Sequence, residues 1–534
     1  MRVTDRFDPP TQGEAGLDIV DYVQALVELA GGSGELTVEE IGLDSLELVT
    51  LSLALERFLA AKVGAGWLSD EMFDLRTVQY ITVGTLKQVV EDIDAGRSNR
   101  QALASLYRRA AESVAERDAL AMRADAVLPA GIHPTGRPAA SLGQGTGAVL
   151  LTGATGFLGA YLLDALLRLT GQPIVVVARG HDVRHARRRV ATALARAEGA
   201  AHVDFELDPR VEVLHGDIAA PRLGLSSLAW RGLAERVGAV IHCGAEVDYV
   251  KTYGEVRGPN VSSTREVIEL SCSGAPKTLH HISSTFVFGW TPAPCMSEGD
   301  FNPGMQGLDF GYTQSKWVSE QLIVQASALG LDARIYRPAF VTASRHGHYA
   351  REDILARVLS YMIRHGVSVD AGNQLSLLPV DVCAQNIVAL ALLDDPGARV
   401  FHLTTDGYYT MEMACRCITD RYGYEFEYVG IASMVDHMNR FCGPDDVLFP
   451  LVAFFRSNSH KIDSMRDKRY DNRNYRAARA RSTRAWPEPA LADTMTWLVE
   501  FLRREHLIPP VADRRVVVGR KAMPREALAA GGLA

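Results

Sequence analysis

The stretch Ala148–Gly159, AVLLTGATGFLG, decides the fold of this chain. Ala148 to Leu151 are small or branched apolar residues and make a short buried strand. Gly153, Gly156 and Gly159 then turn the chain into an amphipathic run from Ala160 to Leu169. Strand, glycine turn and helix in this order form a pyrophosphate cradle, because a side chain at the turn would hold the backbone away from the anion. The helix N-terminus adds unpaired N–H groups and the positive end of its dipole. Gly153, Thr155, Gly156, Phe157, Leu158 and Gly159 are therefore the expected dinucleotide contacts.

Strands and helices alternate beyond this turn. Strands are expected at Ile174 to Ala178, Val211 to Leu214, Ala239 to His242 and Thr278 to Ser283, giving a Rossmann-type, doubly wound parallel sheet in an α/β fold. The second strand ends at Arg179, where an acidic residue would favour NAD by holding the ribose hydroxyls. An arginine there pairs instead with a 2′-phosphate, with Arg189 assisting, so NADPH is the expected cofactor. Asp217, after the third strand in HGDI, reads as an adenine contact or as an ordinary turn aspartate.

HISSTFVFG, from His281, and GYTQSKWVSE, from Gly311, carry the groups suited to carbonyl chemistry. Tyr312 and Lys316 are four apart on one helix face, which sets the ammonium beside the phenol. A nearby cation is expected to lower the phenol pKa, making Tyr312 a proton donor and acceptor near neutrality. These residues, with HCGAEVDYVKTYGEVRGPNV (His242 to Val261), make the segment similar to the extended short-chain dehydrogenase/reductases. Within them it resembles the thioester reductase domains of nonribosomal peptide synthetases, polyketide synthases and carboxylic acid reductases. The resemblance makes Ser284 the hydroxyl that positions the substrate oxygen, Tyr312 the proton donor and Lys316 its partner. Ser284 stands where threonine is usual and Asp248 where asparagine is usual.

The chain has 534 residues, too many for one ordinary core, and its net charge of −8 is unevenly divided. Residues 1–95 hold 18 acids and 6 bases, so the acidity belongs to the first hundred residues. An acidic small domain suits docking to basic protein surfaces and argues against nucleic acid. Within it GLDSLELV, Gly42 to Val49, resembles the phosphopantetheine attachment site of carrier proteins, with Ser45 as the serine that bears the arm. Helical runs from Leu17 to Leu29 and from Leu46 to Ala61 fit a four-helix carrier domain. Asp44 and Ser45 also suit a plain helix cap.

The expected division is a carrier domain at 15–95, a helical and Pro/Gly-rich linker at 96–146 and an NADP-binding domain at 147–345. A smaller substrate-binding subdomain at 346–510 and a tail at 511–534 complete it. No apolar run is long enough to span a bilayer, the first residues are polar, and the odd set of seven cysteines argues against a disulfide framework; a cytoplasmic enzyme without a metal site is expected. The resemblance implies NADPH-dependent release of an acyl or aminoacyl thioester from 4′-phosphopantetheine as an aldehyde or alcohol. It also implies two partners, a phosphopantetheinyl transferase and a separate adenylating or acyl-loading enzyme. Two other readings remain open: a reductase of a free substrate such as a nucleotide sugar, with the helical domain as a docking module, and a non-catalytic NADP-binding protein.

Overall fold

The computed structural model describes residues 19–510 except 44–46, 49–50, 52–53, 56–57, 60, 63–77, 98–99, 135–140, 146, 200–205, 250, 292, 303–304, 306 and 444; Ser45 and the 511–534 tail lie outside the described residues. Two helices frame the N-terminal unit, α1 (Ile19–Leu29) and α2 (Val83–Asp94). The described positions between 47 and 62 are helical. Leu48, Leu51, Leu55 and Leu59 recur at helical spacing and are buried with Tyr22, Leu26, Leu86 and Val90 in one apolar core. Helix α3 (Arg100–Asp125) follows. Arg117 of α3 lies over the Tyr80 ring at 4.3 Å, and Met122 at its other end is buried against the sheet described next.

The sheet is seven-stranded and all parallel. Its strands are β1 (Ala148–Thr152), β2 (Ile174–Ala178), β3 (Val211–His215), β4 (Val237–His242), β5 (Thr278–Ile282), β6 (Ala333–Pro338) and β7 (Val400–Leu403). In space the order is β7-β6-β5-β4-β1-β2-β3. The order reverses between β1 and β4, and doubly wound sheets bind ligands in the crevice at such a point. Every residue of β1 and β2 is buried because both faces are covered. Strand alternation sends Val149 and Leu151 to a layer containing α4 (Phe157–Leu169), α5 (Val183–Ala197) and a later helix, Val380–Ala391. Ala148 and Leu150 face the opposite layer with Trp230, Val267, Leu322 and Met122.

The C-terminal part returns to this sheet. Val400–Leu403 is its seventh strand and Val380–Ala391 covers one face, so the span 346–510 is shared between the sheet and a second body. That second body has its own apolar core, from Tyr349, Leu359 and Met362 to Met434, Leu498 and Phe501. Helices Ile354–His365 and Leu491–Arg504 line it, one ended by left-handed Gly366. The linker helix is fastened at Asp125, whose carboxylate accepts from Tyr253 Oη at 2.7 Å and from Arg257 and Arg265.

Gly159 is the tightest point of the nucleotide turn, since a Cβ there would stand 2.0 Å from the Gly153 carbonyl oxygen. Gly159→Ala should lower the thermal midpoint of the sheet domain, a cost of at least about 1–3 kcal/mol. Gly171→Ala, where a Cβ meets nothing within 4 Å, should not. Calorimetric melting of both variants checks this.

Candidate active site

The site lies along the carboxyl ends of β1, β2, β4 and β5. At the first of these, Gly153 takes φ +78°, and a Cβ on it would be 2.6 Å from Gly244 N. Both chains therefore need bare backbone where β1 and β4 end. Thr152 Oγ1 ties them, accepting from Gly244 N at 3.0 Å and pairing with His242 Nδ1 at 2.8 Å. Gly156 caps α4 without any side-chain capping bond, so the first amides of the helix face the turn. Thr155 is half-buried beside it. Phe157 and Leu158 offer backbone there while their side chains pack away: the Phe157 ring is edge-on to Tyr349 at 5.3 Å and Leu158 meets the sheet's core. A cradle that a Cβ would fill, set at an uncapped helix N-terminus, fits a dinucleotide pyrophosphate.

Arg179 is exposed at the end of β2. Arg189 reaches back from α5 and donates to the Arg179 carbonyl at 2.8 Å, so the two guanidinium-bearing residues meet at one corner. Asp217 lies beyond β3, where one carboxylate oxygen accepts from Ala219 N at 3.0 Å in a local turn.

The hydroxyl groups converge at β5. Ser284 caps a short 3-10 turn, Thr285–Phe288, accepting from Phe286 N at 3.2 Å, and its side chain is hydrogen-bonded to Tyr312. Tyr312 opens helix α6 (Gly311–Ala328); Gly311 is required because a Cβ would fall 2.4 Å from the Thr252 carbonyl. Lys316, one turn on, donates to the Ile282 carbonyl at 2.8 Å and stands 5.9 Å from the Tyr312 ring centre. Ser284, Tyr312 and Lys316 are 6%, 7% and 5% exposed, so the set is nearly dry.

Dryness reverses one expectation. Burial pushes the Tyr312 phenol up to about 12, against the smaller downward pull of its Ser284 hydrogen bond. The same loss of water brings Lys316 down to about 8, weakening the cation expected to lower that phenol. His242 is brought down to about 3 by burial and by Lys316, and His281 well below its usual value. The Cys243 thiol is pushed up to about 11, so the floor of the site is polar but uncharged near neutrality.

Three supporting residues escaped the sequence reading. Arg337 on β6 is fully buried and grips Glu320 of α6 with Nε at 2.9 Å and Nη2 at 2.6 Å. Ser283 donates to the same carboxylate at 2.5 Å. Asn260 binds Ser315 Oγ at 2.8 Å and the Glu246 backbone from a π-helical segment, Gly258–Ser262. Glu320 and Arg337 both stand in stretches that look informative, but nothing in a sequence says that two charges will be buried together. Asp248 serves a turn, accepting from Lys251 N at 2.9 Å. The seven cysteines are free thiols. Among the described residues, no helix is long and apolar enough to cross a membrane and no cluster of potential ligands suits a metal ion.

Residues 151–387 match an NAD-binding family described as male sterility protein. An isonitrile lipopeptide synthase of Streptomyces coeruleorubidus is 30% identical over 446 residues, covering 81% of this chain and 28% of the synthase. The terminal R domain from the myxalamid PKS-NRPS biosynthetic pathway is 28% identical, with a TM-score of 0.66, over 73% of this chain and 99% of that domain. A thiolation-reductase di-domain from an archaeal non-ribosomal peptide synthetase shares the fold over 92% of this chain and 99% of its own, with a TM-score of 0.65 at 17% identity. The chain spans between 6% and 34% of the length of the curated relatives it matches.

If the Lys316 ammonium helps to hold a nicotinamide cofactor, affinity should be full below pH 8 and fall as pH rises through about 8, where the buried amine loses its proton. Lys316→Arg, which keeps its charge, should remove that fall. Calorimetric titration of NADPH into the full chain on both sides of this pH reads it, and equal affinity throughout would contradict it.

Proposed function

We propose that this chain, whose residues 150–500 belong with the thioester reductase (R) domains of the extended short-chain dehydrogenase/reductase family, releases an acyl or aminoacyl thioester from a carrier arm as an aldehyde or primary alcohol. The observation that carries this reading is the Ser284 hydroxyl bonded to the Tyr312 phenol, with Lys316 one turn away, in a dry crevice at the strand ends. The glycine turn holds the pyrophosphate, and Arg179 and Arg189 receive the 2′-phosphate that distinguishes NADPH from NADH. When bound, the cofactor supplies hydride to the thioester carbonyl carbon. Ser284 and Tyr312 both donate to the carbonyl oxygen as it gains charge, and Tyr312 passes its proton to that oxygen. A phenol held at about 12 keeps its proton at neutral pH, which is the state a donor needs. The tetrahedral adduct then collapses, the carbon–sulfur bond breaks, and the thiol leaves with the proton returned from the hydroxyl. Repeating the reduction on the aldehyde gives the alcohol.

The thioester in this reading arrives on Ser45 of a carrier domain spanning 15–95. Support comes from GLDSLELV, the acidic balance of the first 95 residues, the apolar core joining α1 and α2, and the fold likeness to the thiolation-reductase di-domain. A phosphopantetheinyl transferase installs the arm, and a separate adenylating or acyl-loading enzyme charges it. The linker at 96–146 is too short to hold an activating domain, and a bare carboxylate resists hydride because it is charged and resonance-stabilised. Tethering raises the local concentration of the thioester to about millimolar, so tight binding of the acyl group is not required.

The test compares the holo chain, acylated on its arm, with the same protein given free acid and ATP, following NADPH absorbance and product. The acylated form should turn over and the free acid should not; the reverse would favour a free substrate. Ser45→Ala should gain no arm by intact mass. Tyr312→Phe should still bind NADPH yet lose about 10² to 10⁴ in rate.

A further inference from the structure

Five aromatic rings gather beside the two hydroxyls. Tyr249 follows β4, Phe286 follows Ser284, Phe310 precedes Tyr312, Phe340 follows β6, and Phe454 projects from helix Val452–Ser464 of the second body. Their centres form one connected set: Tyr249 to Phe454 is 5.7 Å, Tyr249 to Phe310 5.8 Å, Phe310 to Phe454 6.0 Å, Phe286 to Phe310 6.1 Å and Phe286 to Phe340 6.3 Å. Four come from the crest of the sheet that also carries Ser284, and the fifth closes over them from the other body. Phe310 is buried, whereas Tyr249, Phe286, Phe340 and Phe454 each keep part of their surface open. Rings in a sealed core have no such open faces.

Charge is turned away from the same place. Asp353 and Asp248 are the carboxylates that bear on Tyr249, and both are engaged. Asp353 caps helix Ile354–His365 through Leu355 N at 2.8 Å and takes the Tyr349 hydroxyl; Asp248 holds the Lys251 turn. A ligand lying along the rings meets apolar surface, with its polar end at Ser284 and Tyr312.

We propose that these rings form the acyl subsite, and that the group reduced is apolar: a medium-length alkyl chain or an aryl-ended chain rather than a charged or short polar acid. This rests on the thioester reading above and deepens it. Alkyl burial contributes about 0.8 kcal/mol per methylene, so affinity should rise by about two- to fourfold for each one added.

Two measurements on the full chain with NADPH separate the subsite from the reaction. The first is calorimetric binding of straight-chain primary alcohols from butanol to decanol, with glutarate as the charged comparison. The second is reduction of S-acetyl-, S-hexanoyl-, S-decanoyl- and S-glutaryl-pantetheine. A rising affinity series, no glutarate binding, and faster reduction of longer acyl groups are expected. Phe454→Ala should lower decanol affinity by about five- to tenfold and butanol affinity less, with Phe454→Leu recovering much of it. Affinity flat along the series, or glutarate bound as well as decanol, overturns the subsite even where thioesters are reduced. Variants that melt earlier but keep the full series make the rings packing only and overturn it too. A rising series with no pantetheine thioester reduced leaves the subsite standing and removes the thioester reading.

Discussion

The grip of Arg337 on Glu320 holds the reacting part of this molecule in register. Glu320 lies one turn beyond Lys316 on α6, Arg337 sits on β6, and Ser283 at the end of β5 shares the same carboxylate. Three elements that come together only in the tertiary fold thus meet at one pair of oxygens, beside the serine that touches Tyr312. The guanidinium lies between the Phe288 and Phe301 rings at 4.9 and 5.0 Å and also donates to the Asp300 carbonyl at 3.0 Å. Removing one member of such a buried pair costs about 3–5 kcal/mol, because the other charge stays behind without water.

The same dehydration shapes the chemistry. Neutral His242 and His281, whose rings lie 5.5 Å apart, and a protonated Cys243 surround Lys316 without offering it a counter-charge. Hydrogen bonds made in these surroundings are stronger than in water, which favours fixed hydroxyl donors over mobile solvent. The phenol accordingly starts as an acid holding its proton.

Much of the sheet was legible because its strands are covered on both sides. IVVVA at 174–178 has no polar residue to accommodate, and its observed bounds coincide with the apolar run. The seventh strand, Val400–Leu403, is four residues with a histidine inside, and neither length nor alternation distinguishes it from a loop. Missing it assigned the whole of 346–510 to a separate subdomain. The Tyr312–Lys316 spacing was readable from helix geometry, but the direction of the phenol shift was not. It depends on how much water the fold excludes, and that is settled by Thr252, Phe310 and the second body, which are distant in sequence. Glu320 and Arg337 were hidden for the same reason: charge is visible in a sequence, burial of charge is not.

The fastening of α3 constrains motion at the other end of the molecule. Its last residue, Asp125, is clamped by Tyr253, Arg257 and Arg265, while Arg117 further back reaches Tyr80 of the N-terminal unit. A helix of 26 residues is a rod of about 39 Å. With one end fixed, a proposed carrier at the other sweeps an arc like a crane jib rather than wandering through a sphere. The arm's search for the crevice is then close to one-dimensional, and delivery depends on the stiffness and pitch of that rod.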